Sequence, residues 1–194
     1  MKKGFYTLAL VLCAVLAGSS AHAADTFKVD AVHSFAQFKV GHLGIGYVLG
    51  AFTDISGTIA YDKQSVDGNS VEITIATESV VTDNEDRDAH LRTDDFFHVE
   101  EYPQMSFKST KFKKLEDGKY EVTGDFTLHG TTKSITVVAH VIGEGDDPWG
   151  NYRAGFETAF TIKRSDYGMT KMMPAAGDKV WITFNVEGIR EKKD

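Results

Sequence analysis

The chain has a single cysteine in 194 residues, and that residue, Cys13, sits inside an N-terminal apolar run. Without that run there is no disulfide, thiol nucleophile or thiolate ligand to consider. No apolar stretch is long enough to cross a bilayer, because Phe5 to Ala17 falls short of the roughly 20 residues a spanning helix needs. An excess of Lys and Arg is missing too. With 21 Lys and Arg against 28 Asp and Glu, the composition argues against nucleic acid as a partner and against an overall electrostatic grip on anionic membranes. No HExxH, CxxC, GxSxG or P-loop pattern occurs, and no linker or internal repeat divides the chain.

The N-terminus reads as an export signal. Lys2 and Lys3 precede the apolar run, and Ala21-His22-Ala23 supplies the small residues before a cut expected between Ala23 and Ala24. No cysteine follows Ser19-Ser20, so a lipid-modified signal is not expected. Residues 1–23 are assigned to a cleaved signal peptide and 24–194 to one domain with its own core. Losing Lys2 and Lys3 leaves 19 basic residues against 28 acidic ones, a formal charge of −9. No stable membrane insertion is expected of the mature chain.

Most of the remaining sequence alternates with a period of two. Tyr120, Val122, Gly124, Phe126 and Leu128 are apolar or small, with Glu121, Thr123, Asp125 and Thr127 between them. Such spacing gives a strand one dry and one wet face. Ala154, Phe156, Thr158, Phe160 and Ile162 repeat the pattern, as do Val71–Ile75 and Val180–Val186. Further strands are expected at Phe27–Val29, Ser34–Val40, Phe52–Tyr61, Gln104–Phe112 and Ile135–Ile142. The fold class is mainly β: an antiparallel barrel of about eight strands, with a two-sheet sandwich as the competing architecture. A barrel of that size is either filled by side chains or holds one small ligand.

One short helix is expected near residues 83–93, opened by a capping box from Thr82 to Glu85. Asp83, Asp86 and Asp94 suit a solvated face, whereas Arg87, His90 and Leu91 lean toward the barrel because Leu91 needs cover. Asp86, His90 and Asp94 have the spacing to share a cation, but nothing supplies further ligands, so no metal and no cofactor is assigned. Gly41–Gly50 and Gly143–Gly150 read as loops. Lys163–Asp178 carries Met169, Met172 and Met173 in a loop-like setting that suits a flexible apolar ligand. His33 and Ser34 are neighbours on a strand and point to opposite faces, a poor acid–base pair.

The ordered motifs resemble a known family. They are His33-Ser34-Phe35 with Phe38, His42-Leu43-Gly44, Gly50-x-Phe52 with Gly57, Arg87-Asp88-Ala89-His90-Leu91-Arg92, and Phe96-Phe97 with Tyr102-Pro103 and Phe107-Lys108-Ser109. Gly124-x-Phe126-Thr127-Leu128-His129-Gly130 and Gly143-x-Gly145-Asp146-Asp147-Pro148-Trp149-Gly150 complete the set. The chain resembles the YceI-like periplasmic proteins, also called polyisoprenoid-binding proteins, over residues 24–190. That resemblance implies a lipocalin-like barrel holding a long isoprenoid or related amphiphile, often as a homodimer, with no general enzymatic activity. Carried over by position, it assigns His42, Leu43, Phe52, Arg87, His90, Leu91, Phe96, Phe97 and His129 to the cavity. Phe35, Phe38, Phe126, Phe156, Phe160, Met169 and Met172 join them as candidate ligand contacts.

The expectation is thus a periplasmic carrier that sequesters an isoprenoid, isoprenoid quinone or fatty amphiphile, and not an enzyme. Two alternatives stand beside it. One is an enzyme acting on such a lipid through His33, His90 or His129; the other is an interaction module with a filled barrel.

Overall fold

A computed structural model describes residues 24–116 and 118–192; the expected signal peptide and its cut at Ala23 lie outside them. The described residues form strands β1 (Asp25–Val29), β2 (Phe35–His42), β3 (Gly46–Phe52), β4 (Ile55–Tyr61), β5 (Ser70–Ala76) and β6 (Val80–Val81), then helix α1 (Glu85–Arg92). Strands β7 (Gln104–Glu116), β8 (Lys119–Leu128), β9 (Thr131–Asp146), β10 (Tyr152–Lys163) and β11 (Ala176–Arg190) follow.

All strand pairings are antiparallel, in the order β1-β4-β5-β7-β8-β9-β10-β11, and β1 pairs back onto β11 to close eight strands into a barrel. Closure solves the problem posed by one-sided strands, since no second layer is needed to cover the dry face. The alternation is obeyed closely: Tyr120, Val122, Gly124, Phe126 and Leu128 are buried while Asp125 is exposed. A barrel forms, not a sandwich.

Strand β11 forks. Its residues from Ala176 to Asn185 pair with β2, whereas Gly188 to Arg190 pair with β1. The break between β1 and β2 is built by Asp30, whose carboxylate accepts from the Val32 N–H as an Asx turn. Ser34 then fills the interrupted ladder, its hydroxyl accepting from Glu187 N–H and donating to Glu187 C=O. Strands β3 and β6 continue outward from β2, so the upper end of the barrel flares and α1 packs at the flare beside β6.

Several boundaries differ from those expected. Gly41–Gly50 is a β-hairpin and not a loop: only residues 43–45 turn, with Leu43 and Gly44 at φ 54 and 71. Its glycines had hidden the period of two. Phe52–Tyr61 is two strands, β3 and β4, separated by Thr53-Asp54. Strand β9 runs through Gly143 and Gly145 to Asp146, so the turn expected at Gly143–Gly150 is confined to residues 147–151. The helix is capped by Asn84, whose side chain accepts from Arg87 N–H, and not by Thr82. Thr82 is buried and donates instead to Asp88.

Arg153 ties the lower seam. Its guanidinium reaches Asp30 and Asp147 at 2.7 Å each and Glu187 at 2.5 Å, joining the β1–β2 break, the β9–β10 turn and β11. The hydrogen bond from Arg153, helped by His33, draws the Asp30 carboxyl down to about 2, and Arg153 also holds Asp147 below the ordinary carboxylate range. A depressed carboxyl pKa stabilises the fold above its unfolded value and loses that effect as pH falls through the folded one. Melting temperature is therefore predicted to fall steeply between pH about 4, the unfolded carboxylate value, and pH about 2. Arg153→Gln should lower it by several degrees at neutral pH and flatten the acid limb. Circular-dichroism melts across pH check both, and an unchanged neutral-pH melt in the variant would show that the seam does not depend on this cluster.

Candidate functional site

The flare encloses a cavity of about 420 Å³. Alternate residues of β2 supply one wall, Ala36, Phe38, Val40 and His42, and β3 adds Val48 and Phe52. Gly50 makes this wall work: a Cβ there would sit 2.3 Å from the Phe38 ring and 2.8 Å from Thr82, so only glycine lets Phe38 lie flat over β3. Val180, Ile182 and Phe184 of β11 face Leu91 and the Phe96-Phe97 pair across the space, and Met105, Phe126, Leu128 and Ile162 form the floor. The lining is nearly all apolar. Among its polar members His42, Asp86 and His90, together with Met172, are solvent-exposed and mark the mouth, Gln37 is exposed, Arg87 is half-buried and Arg164 is buried.

A second chamber of about 100 Å³ lies deeper, lined by Ile59, Tyr61, Ile73, Tyr120, Val122 and Phe156 among others. Phe184 lines both chambers. Its ring stacks on Phe160 at 5.9 Å, and Phe160 meets Phe126 edge-on at 5.9 Å. These three rings form an aromatic septum between the chambers. At the far end burial and the neighbouring Tyr120 hydroxyl, 3.5 Å away, push the Tyr61 phenol up.

Most of the expected contacts converge. Phe38, His42, Phe52, Arg87, His90, Leu91, Phe96, Phe97, Phe126, Met169 and Met172 line the upper cavity, and Phe156 and Phe160 line the lower one. Three do not. Phe35 is 51% exposed, because it lies an odd number of positions from both Ala36 and Phe38 and the period of two turns it outward. Leu43 sits at the hairpin tip, 57% exposed. His129 is at the β8–β9 turn, its Nδ1 hydrogen-bonded to Tyr167 C=O and its ring 4.5 Å from Tyr102, outside the cavity.

The polar groups at the mouth have partners of their own. Arg87 Nε donates to the Thr82 hydroxyl and Nη2 to the Thr82 carbonyl, each at 2.6 Å, which fixes the guanidinium at the rim. His90 contacts Asp95 at 2.9 Å, and Asp95 also binds Lys171 at 2.8 Å. That bridge clasps the helix side of the mouth to the methionine loop, and His90 and Lys171 together hold the Asp95 pKa low. The spacing of Asp86, His90 and Asp94 does not produce a shared site, since His90 turns to Asp95.

Among the described residues Asp30, His33 and Glu187 do come within 4.8 Å of one another. The Arg153 guanidinium already lies against both carboxylates, so their charge is met without a metal. Of the three histidines weighed for acid–base work, His33 belongs to this outer cluster, at 2.8 Å from Asp30, and His129 is outside the cavity. Only His90 lines it.

Sequence reasoning missed Arg164. It is 4% exposed and lines the cavity, yet among the described residues no carboxylate forms an ion pair with it. It makes four hydrogen bonds to backbone instead: Nε to Gly177 C=O, Nη1 to Met169 C=O, and Nη2 to Lys171 and Ala176 C=O, at 2.7–3.0 Å. Burial lowers its pKa, with Asp178 opposing. One side chain thereby shapes the whole loop that bears Met169 and Met172. Its only sequence signal was a charged residue directly following a long alternating strand.

Comparison with known proteins agrees with this architecture. A family model for the YceI-like domain matches residues 27–188. A UPF0312 protein of Pectobacterium atrosepticum is 41% identical over 99% of this chain and 100% of its own length. Protein YceI of Escherichia coli O157:H7 is 39% identical over 192 residues. Among solved structures, a Campylobacter jejuni YceI protein superposes with TM-score 0.69 at 35% identity, covering 79% of this chain and 90% of that one. BcnA of Burkholderia cenocepacia gives 0.74 at 24%, covering 82% and 98%. A polyisoprenoid-binding domain from Saccharophagus degradans gives 0.70 at 18%, covering 87% and 99%; the last two likenesses speak to fold alone.

Arg164→Leu is predicted to destabilise the protein by about 3 kcal/mol, because four buried carbonyls lose their donor. Arg164→Lys should recover little, since an ammonium cannot span four carbonyls in the plane of a guanidinium. Lys171→Ala, at the exposed end of the clasp, should melt close to wild type. Urea titration of the three variants tests this order; equal midpoints for Arg164→Leu and wild type would contradict it.

Proposed function

As the chain belongs to the YceI-like family, we propose that it is a periplasmic binding protein that shields a long-chain isoprenoid, isoprenoid quinone or fatty amphiphile from water, making and breaking no bonds in it. The observation that carries this reading is the cavity of about 420 Å³ in a closed barrel, lined almost wholly by apolar side chains and with exposed polar groups at its mouth. Pockets of this size bury most of a small ligand, and orientation comes from a few polar groups. The polyisoprenoid-binding domain from Saccharophagus degradans shares this fold, and the expected signal peptide supports the compartment. The same cavity disfavours a filled barrel acting only through its surface.

The mechanism is sequestration. Each methylene taken from water contributes about 0.8 kcal/mol, so a few isoprene units outweigh a head-group hydrogen bond worth roughly 1 kcal/mol net. The tail lies along Phe38, Leu91, Phe97 and Ile182, and its far end reaches the septum. The head stays at the mouth, where Arg87 and His90 can donate to a phosphate or carbonyl oxygen.

Native mass spectrometry with lipid extraction of the exported protein is predicted to recover an unmodified hydrophobic ligand at one per chain. Leu91→Asp, which sets a carboxylate in the apolar wall, should cut uptake of added polyprenyl ligand by more than about tenfold, while Asp94→Ala on the solvated face should not. Empty wild-type protein from several hosts that also refuses added polyprenyl or quinone would refute the proposal, as would recovery of chemically altered ligand.

A further inference from the structure

The molecule wastes apolar surface at one end. Leu43, Ile45, Tyr47 and Leu49 on the β2–β3 hairpin are 57%, 86%, 61% and 67% exposed, and Met172 and Met173 on the neighbouring loop are 50% and 40% exposed. The hairpin and loop are joined, since Leu43 N–H donates to Ala175 C=O. Met172 also lines the cavity. The exposed patch and the mouth are therefore continuous.

Outside the barrel the patch runs into a basic, aromatic face. Strand register places Leu49, Lys39, Trp181 and Thr161 in one row across β3, β2, β11 and β10. Lys39 Nζ sits 4.7 Å from the Tyr47 ring and 4.9 Å from the Trp181 ring, and Lys179 Nζ lies 5.0 Å from Trp181 on the other side. Lys163 stands opposite Lys179. The nearby acids are already engaged: Asp178 accepts from Ser165 N–H with Lys163 and Arg164 acting on it, and Asp95 is held by His90 and Lys171. On a chain with formal charge −7 overall, this face has the opposite sign.

We propose that the hairpin tip, the methionine loop and the Lys39–Trp181–Lys179 face together dock the protein on an anionic phospholipid bilayer, mouth toward the lipid. Three features fit that partner over another protein. Aliphatic tips as exposed as Ile45 gain by entering the acyl boundary. Trp and Tyr flanked by Lys match the interfacial zone, where rings sit at head-group level and ammonium groups meet phosphates. Continuity with the mouth lets an apolar ligand pass between bilayer and barrel without crossing water. The acidity of the whole chain then repels the remaining faces and sets the orientation. For its purpose this inference rests on the carrier reading, but the binding itself is measured without any ligand.

Flotation of purified, delipidated protein with vesicles tests it. Binding is expected on an equimolar mixture of phosphatidylcholine and phosphatidylglycerol, weaker on phosphatidylcholine alone, and falling with salt. Ile45→Glu should weaken it about tenfold or more by removing one inserted side chain and adding a like charge. Lys39→Gln with Lys179→Gln should abolish the preference for the anionic mixture. Melting curves close to wild type are expected for both variants, because Ile45 and Lys179 are exposed and Lys39, half-buried against the Tyr47 and Trp181 rings, lies outside the core. Absence of binding to either vesicle, or undiminished binding by Ile45→Glu, would overturn the proposal. So would a dimer in sedimentation that Ile45→Glu dissociates without any vesicle binding, since the patch would then serve a second copy of this chain. Vesicle binding by a protein that takes up no polyprenyl ligand would leave docking standing and remove the carrier reading.

Discussion

Closure of one sheet through β1 and β11 is the constraint on which the rest of the molecule depends. The chain offers strands with one dry face and a single short helix, so the sheet has to cover itself. Eight strands leave an interior close to the limit that side chains can fill. Where β11 pairs with β1 the barrel is narrow, and Phe27, Tyr61, Tyr120 and Phe156 nearly fill it, leaving about 100 Å³. Where β11 switches to β2 the wall flares and side chains no longer meet across it. The main cavity is a direct consequence of that fork.

Two arginines hold the two ends by different physics. Arg153, at the lower seam, meets three carboxylates on a partly solvated surface, and its effect is electrostatic and pH-dependent. Arg164, at the upper end, meets backbone carbonyls alone in a dry setting, where its planar fork matters more than its charge. A buried guanidinium without a carboxylate is costly unless its nitrogens find acceptors, and here Nε, Nη1 and Nη2 all reach carbonyls of the loop folded around it. That loop, with the Asp95 clasp, gives a mouth built from flexible methionines on rigid supports. Adaptable walls of this kind suit a ligand defined by length and apolarity more than by shape. The aromatic septum of Phe126, Phe160 and Phe184 then sets how far an incoming chain runs before it must displace a ring.

Much of this was legible in the sequence. Strands β8, β10 and β11 alternate so regularly that their faces and core residues follow from period alone, and the family motifs placed the helix beside the mouth. What escaped has physical reasons. Glycine-rich Gly41–Gly50 looked like a loop because glycine carries no sign of facing in or out, yet Gly50 is needed for Phe38 to lie against β3. Phe35 was placed inside with Phe38, although residues three positions apart on a strand cannot share a face. Thr82 and Asn84 compete for the helix cap, and the winner depends on Thr82 being drawn into the Arg87–Asp88 contacts. Arg164 was invisible because its partners are carbonyls, which have no sequence signature.

The central claim is that apolar length, and not head-group chemistry, determines what this barrel holds. Isothermal titration of delipidated protein with prenyl compounds of increasing length, each carried on both a phosphate and a neutral carbonyl head, addresses it most directly. The account predicts that each added isoprene unit tightens binding by roughly tenfold or more until the chain meets the septum, with the head group changing affinity far less. Affinity that follows the head group and ignores chain length would contradict it.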